Sequence, residues 1–131
     1  MSWQLNDKEF TSVLSLPTSK RYTYFTKRVA DWGELWSLYG ADGWVLASDE
    51  AGRPTVPVWP HQRFAQECAV DNWDNTQPKS IDIHLWQTRW TPGMSQDNRM
   101  VAVFPLPTNK GIIVSPEKLK IDIDEALAEL E

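Results

Sequence analysis

The chain has 131 residues, 41% of them hydrophobic and 24% charged, with a formal net charge of −5. That length and balance suit one globular domain and exclude wholesale disorder. No apolar run reaches the ~18 residues of a membrane span, the acidic total disfavours nucleic acid as a partner, and the single cysteine, Cys68, can neither close an internal disulfide nor seat a zinc alone.

The first ten residues, MSWQLNDKEF, show no basic region, apolar core or small-residue cleavage site, so no signal peptide is expected and the expected location is the cytoplasm. Asn6 and Glu9 have capping-box spacing and predict a helix from about Asp7 to Ser15, ended by Pro17. Thr18 is placed to cap a second helix, whose stripe of Tyr22, Phe25, Val29 and Trp32 stops at Gly33. Strands follow at 34–39 and 44–48, joined by Gly40-Ala41-Asp42-Gly43. Pro54–Val58 is extended, and its two prolines predict an edge or bulged strand.

Pro60 suits the first turn of a helix to about Val70. A loop over 71–78, a short strand at 79–81, and a helix from 82 to 90 stopped by Thr91-Pro92-Gly93 come next. Residues 99–104 and 111–114 pair as a hairpin around a turn at 106–110. Ser115 caps and Pro116 opens the last helix, whose apolar face is Leu119, Ile123, Ala126, Leu127 and Leu130. Ile121-Asp122-Ile123 also alternates and could form an extended break.

The order reads ααβββαβαββα. Residues 1–32 form a helical pair, 34–115 a sheet with two inserted helices, and 116–131 a terminal helix. Short turns between strands predict a mainly antiparallel sheet with helices packed on it, an α+β single domain. Trp36, Phe104, Leu119 and Leu127 belong to its core. Cations gather in residues 1–30 and acids in 115–131, so the two ends either attract or are both solvated.

Several pieces stand in a telling order: Trp36-x-Leu38, Asp42-Gly43-Trp44, Pro57-x-Trp59-Pro60-His61, Trp90-x-Pro92-Gly93, Val103-Phe104-Pro105, and Gly111 with Ser115-Pro116-Glu117-x-Leu119. Over roughly residues 20–120 the chain resembles a bacterial family of small proteins labelled domain of unknown function two-seven-five-zero. It is more distantly similar to the type III secretion regulators labelled SseB, in a strand ending in Pro, a turn, a Gly-containing strand and a Pro-started helix. The first resemblance implies no activity, cofactor or catalytic residue.

Among the eight tryptophans, Trp44 and Trp59 are the candidates to line a groove, because a strand start and a strand end often share one rim of a sheet. Pro57 and Pro60 stiffen the strand-to-helix corner between them. There the first-turn N–H groups, His61 and Arg63 could meet a small anionic or aromatic ligand. The bland alternative is a rigid corner whose Trp packs inward and whose His caps locally. A second candidate surface is the basic arc of Lys20, Arg21, Lys27 and Arg28 around an exposed Tyr24, opposite the apolar stripe.

Catalysis finds little support. His61 and Cys68 would lie about 10 Å apart along a helix, too far for a nucleophile–base pair. No phosphate loop, nucleophile elbow or metal-ligand spacing is present, so no cofactor and no metal are expected, and His84 has no companion ligand. Asp122, Asp124 and Glu125 read as a solvated helix face. The favoured reading is a non-enzymatic module that binds another protein. The alternative is a small-molecule domain, or an enzyme, using the Trp59-Pro60-His61 corner.

Overall fold

A computed structural model describes residues 4–130; Trp3 lies outside them. Helix α1 (Asp7–Leu14) starts as expected, with the Asn6 side chain accepting from the Glu9 N–H at 2.8 Å, a cap worth about 1 kcal/mol. The Glu9 carboxylate turns to the next helix, where it accepts from Tyr24 and Arg28. In α2 (Thr18–Trp32) Pro17 occupies the N-cap and Thr18 is already helical, which corrects the expected cap. Gly33, at φ +72°, ends it with a left-handed turn.

Two small sheets follow. In the first, β1 (Glu34–Gly40) lies between β2 (Gly43–Trp44) and β5 (Gln77–Asp82), antiparallel to both. In the second, the order is β3 (Ala47–Ser48), β4 (Pro54–Val58), β6 (Met100–Val103), β7 (Ile112–Val114). Of these pairs only β4–β6 is parallel, because the chain returns to β6 through a long crossover rather than a turn. The sheets meet where Trp36 and Trp59 exchange both backbone hydrogen bonds at 2.8 Å. Helices with antiparallel-rich sheets make the protein α+β.

The expected strand at 44–48 is broken. Trp44 pairs with Tyr39 in the first sheet, Ala47 pairs with Thr55 in the second, and Val45 and Leu46 form the passage between them. Pro54–Val58 is likewise not an edge strand: it sits between β3 and β6. Pro57 is tolerated for a local reason. The Trp59 N–H faces β1, so strand alternation turns the ring nitrogen of Pro57 the same way. β3 has already ended there, and no ladder bond is lost. The Pro57 carbonyl accepts instead from the buried Ser37 hydroxyl at 2.7 Å.

Alternation also gives the second sheet two unlike faces. Val56, Val58, Val101 and Val103 are at most 2% exposed and belong to the same core cluster as Phe25, Val29, Leu119 and Ile123. Helices α2 and α6 (Pro116–Glu129) pack on each other, α2 on β7 and α6 on β6. The opposite face presents Thr55, Pro57, Ala102 and Ile113, which in this register lie side by side.

Helix α3 (Gln62–Glu67) starts two residues after Pro60, with His61 as N-cap, and ends well before Val70. A 3₁₀ turn at Asp71–Trp73 follows. β5 pairs six residues with β1, longer than its polar sequence suggests. The next helix does not stop at Pro92. α4 (Ile83–Leu85) runs into a π-turn (Trp86–Trp90) and then α5 (Thr91–Gln96). The π-turn resets the hydrogen-bond register, so Pro92 falls in the first turn of α5, where its missing N–H costs nothing.

α6 is one continuous helix, with Ser115 accepting from the Lys118 N–H and no break at 121–123. Leu119, Ile123 and Ala126 are buried, but Leu127 is half-buried and Leu130 exposed, because the helix end overhangs the core. Phe104 is fully buried, whereas Trp36 is half-buried: Leu35 and Leu38 take the deep positions of β1. α2 and α6 are joined by the Tyr22 hydroxyl donating to Asp122.

Candidate functional site

The corner at residues 57–63 is packed solid. Trp59 is 0% exposed and donates its indole N–H to the Pro105 carbonyl at 2.8 Å. Burying such a ring contributes at most roughly 4–6 kcal/mol. His61 is buried, and its Nδ1 accepts from the Arg63 N–H at 3.1 Å. The Phe64 and Ala65 N–H groups both turn back to the His61 carbonyl. Three N–H groups of this short helix are therefore already used within it.

Arg63 ties down α1. Its guanidinium reaches the Leu5 carbonyl at 3.3 Å and Asp7 at 3.0 Å, and lies 4.1 Å from the centroid of Phe10. Trp44 turns to other partners. Its ring stands edge-on to Tyr39 and Trp90 on the first sheet, with the Lys79 ammonium 5.3 Å away. Trp59 stands edge-on to Trp73. The expected groove walled by Trp44 and Trp59 is thus replaced by two separate aromatic clusters.

The basic arc is divided as well. Lys20 and Lys27 are exposed, but Arg21 is 4% exposed. It donates to the Leu16 carbonyl at 2.8 Å and the Asn109 side chain at 3.2 Å, and burial lowers its pKa. Tyr24 is half-buried rather than exposed; burial first, and its bond to Glu9 second, push its hydroxyl pKa up. Arg28 pairs with Glu9 at 3.0 Å. Tyr24, Lys27 and Arg28 line a cleft of about 450 Å³ that also holds Asp31 and Glu129, so the surface is of mixed sign.

A larger groove, of about 590 Å³, lies on the open face of the second sheet. Its floor is Ala47, Thr55, Pro57, Ala102 and Ile113. One wall is the segment from Cys68 to Trp73, the other the β6–β7 loop from Pro105 to Lys110. Small side chains on neighbouring strands make the depth, and among the described residues no α-helix lines the groove.

Both walls are anchored by residues in the left-handed region. Asp71 has φ +54° and Phe104 φ +56°, conformations that cost a non-glycine residue about 1–2 kcal/mol. At Phe104 the gain is visible. Its N–H closes the β4–β6 ladder on Val58 at 2.8 Å, its ring turns inward against Phe64, and Pro105 is delivered to the groove. The Pro105 carbonyl takes both the Trp59 indole and the Cys68 thiol, the latter at 3.3 Å. The Trp59 corner is thus the back of this wall.

Two groove atoms stand out chemically. Burial, partly offset by Trp59, pushes the Cys68 thiol up to about 12, so it is a poor nucleophile. The Thr55 hydroxyl is fully buried and has no hydrogen-bond partner. The sequence carried no signal for this hydroxyl, since a lone Thr beside proline reads as an ordinary strand residue. The alternation of small residues at 47, 55, 57 and 102 was the only hint.

Among the described residues no helix is long and apolar enough to cross a membrane, and no three His, Cys, Asp or Glu side chains could hold a metal. None of the curated proteins and none of the solved structures matches the chain. A family model described as a protein of unknown function (DUF2750) matches residues 22–123, from within α2 to the middle of α6, and the chain belongs to that family.

Proposed function

We propose that this domain acts by binding rather than by catalysis, and that its ligand sits in the groove on the open face of the second sheet. The observation that carries this reading is the groove itself, about 590 Å³ and mostly apolar. Volume and lining are those of a ligand site. The one thiol in it is held protonated and hydrogen-bonded to a backbone carbonyl, not to a base. The Trp59, His61 and Arg63 corner supports the wall from behind. A single buried thiol suits the reducing cytoplasm, which we propose as the location.

A second reading, in which the occupant is a segment of another protein, is favoured by two rim residues. Leu46 is 42% and Val70 44% exposed, side chains that a partner could cover.

The experiment is a thermal-shift screen of small molecules on the parent and on Ile113→Trp, which fills the groove from the half-buried β7 edge of its floor. Compounds that stabilise the parent and not the variant support the reading. Stabilisation that survives the filled groove, or turnover of any compound, contradicts it.

A further inference from the structure

The second sheet ends on a strand edge that matches its own two-fold image. We infer that β7 pairs with β7 of a second copy of the chain, antiparallel, about an axis through Ile113. The pairing is independent of what the groove holds.

The direction of the backbone groups follows from the ladder. The Phe104 N–H points to β4, where it donates to Val58. Backbone groups alternate along a strand, so those of Ala102 also point to β4, and those of Val101 and Val103 point to β7. Val101 and Val103 therefore exchange hydrogen bonds with Val114 and Ile112, and Ala102 faces Ile113 without bonding to it. This turns the Ile113 N–H and C=O out of the sheet, on the side where β7 has no neighbouring strand. Nor do the Ser115 N–H and the Gly111 carbonyl have a partner among the described residues. The other groups of these two residues are taken: the Gly111 N–H by Asn109 and the Ser115 carbonyl by the Leu119 N–H.

Other edges are blunted against pairing. β5 carries Pro78 and Lys79, and β2 and β3 are two residues each. From Gly111 to Ser115 there is neither a charge nor a proline. Ile112, Ile113 and Val114 are β-branched strand formers, and all three are only half-buried.

The row of free groups is self-complementary. With two copies antiparallel about Ile113, each Ile113 N–H meets the other's C=O, and each Ser115 N–H faces the Gly111 carbonyl of the other copy. The two Ile113 side chains lie side by side on the open face, a cross-strand apolar pair. Beyond the strand, the same axis sets Lys110 across from Pro116 of the other copy, beside Glu117. Both charges are exposed, and neither is in an ion pair among the described residues. The pairing thus brings opposite charges together on each side of the axis. The shared edge is short, so the dimer is weak.

The test is sedimentation velocity of the full chain from about 10 μM to about 1 mM, with amide exchange followed over the same range. The parent should pass from monomer to dimer with a Kd on the order of 100 μM, and exchange at the Ile113 amide should slow as the dimer forms. Lys110→Glu and Glu117→Lys should each weaken the dimer at least about fivefold, and the two reversals together should restore it to within about twofold. Ile113→Lys sets two like charges on the axis and should abolish the dimer, with its fold checked by a melting curve. Should that variant fail to fold, the charge reversals decide alone. A parent that stays monomeric throughout overturns the proposal and leaves the edge to a strand of another protein. A dimer that survives in folded Ile113→Lys, that the double reversal does not restore, or that forms with Ile113 exchange unchanged, overturns it as well.

Discussion

The Arg21 guanidinium holds the side-chain carbonyl of Asn109 at 3.2 Å, joining the start of α2 to the tip of the β6–β7 loop. Asn109 in turn accepts from the Gly111 N–H at 2.7 Å and closes a bridge with Leu106. A buried cation thus fixes one wall of the groove. Its Nε is buried without a partner, so the residue carries a desolvation cost that works against its hydrogen bonds.

That balance gives the first prediction. Arg21→Met keeps the stem and removes the head. Its lost hydrogen bonds, about 1–3 kcal/mol, are offset by relief of the desolvation penalty. Global stability should therefore change by less than about 1 kcal/mol, while hydrogen exchange at Leu106, Asn109 and Gly111 accelerates. A large loss of stability with unchanged loop exchange would show that Arg21 supports the core and not the loop.

Gly111 admits no side chain. At φ +75° an added Cβ would lie 2.3 Å from the Val103 carbonyl oxygen and 3.0 Å from the Pro105 nitrogen. Gly111→Ala should cost at least about 2–3 kcal/mol in urea unfolding. Gly52 has a similar φ of +82° but open space around it, so Gly52→Ala should cost only about 1 kcal/mol. Equal costs would mean that the loop yields to the clash.

Thr55→Val removes an unpaired buried hydroxyl at constant shape, so the variant should be as stable as the parent or more so, by up to about 1 kcal/mol. A drop in melting temperature of several degrees would reveal a partner for the hydroxyl in solution.

The Cys68 thiol, pushed up to about 12 by burial, should be ionised in roughly one molecule in ten thousand at pH 8. Alkylation of the native protein should be slow and should rise with denaturant along the unfolding curve. Fast labelling of the folded protein would contradict its place in the wall.

Asp49 sets the acid limit of the β3–β4 turn. Burial alone would raise its pKa, but the Arg53 N–H and guanidinium and the Ala51 N–H hold it below the usual value. A lowered folded pKa means stability that is complete above about pH 4 and is lost as pH falls through the folded value. The stability gap between the parent and Asp49→Asn should close below that pH. A constant gap would place the effect in shape rather than charge.

The helices were legible because their signals are local. Asn6, Gly33, Ser115 and Pro116 each do what their residue type dictates. Helix α4–α5 was cut short because Pro92 reads as a stop unless a π-turn precedes it, and no short-range pattern announces one. The edge placement of β4 failed because the partners of a strand are set by a crossover some forty residues long. The corner was visible as a rigid junction, but its burial was not, since whether Trp59 points inward depends on Pro105, far along the chain. Arg21 left the basic arc for the same reason: its acceptor on Asn109 is 88 positions away. The groove is formed by residues from four strands and two loops, which only the topology assembles.

A map of amide shifts over the whole chain, with each compound that stabilises the protein, locates the bound ligand. Binding in the groove should concentrate shifts on Thr55, Cys68, Asn72, Ala102, Asn109 and Ile113 and leave Trp44, Lys20 and Lys27 still. Shifts centred on the Trp44 cluster, on α2 or on the His61 turn, with the groove unmoved, would contradict it.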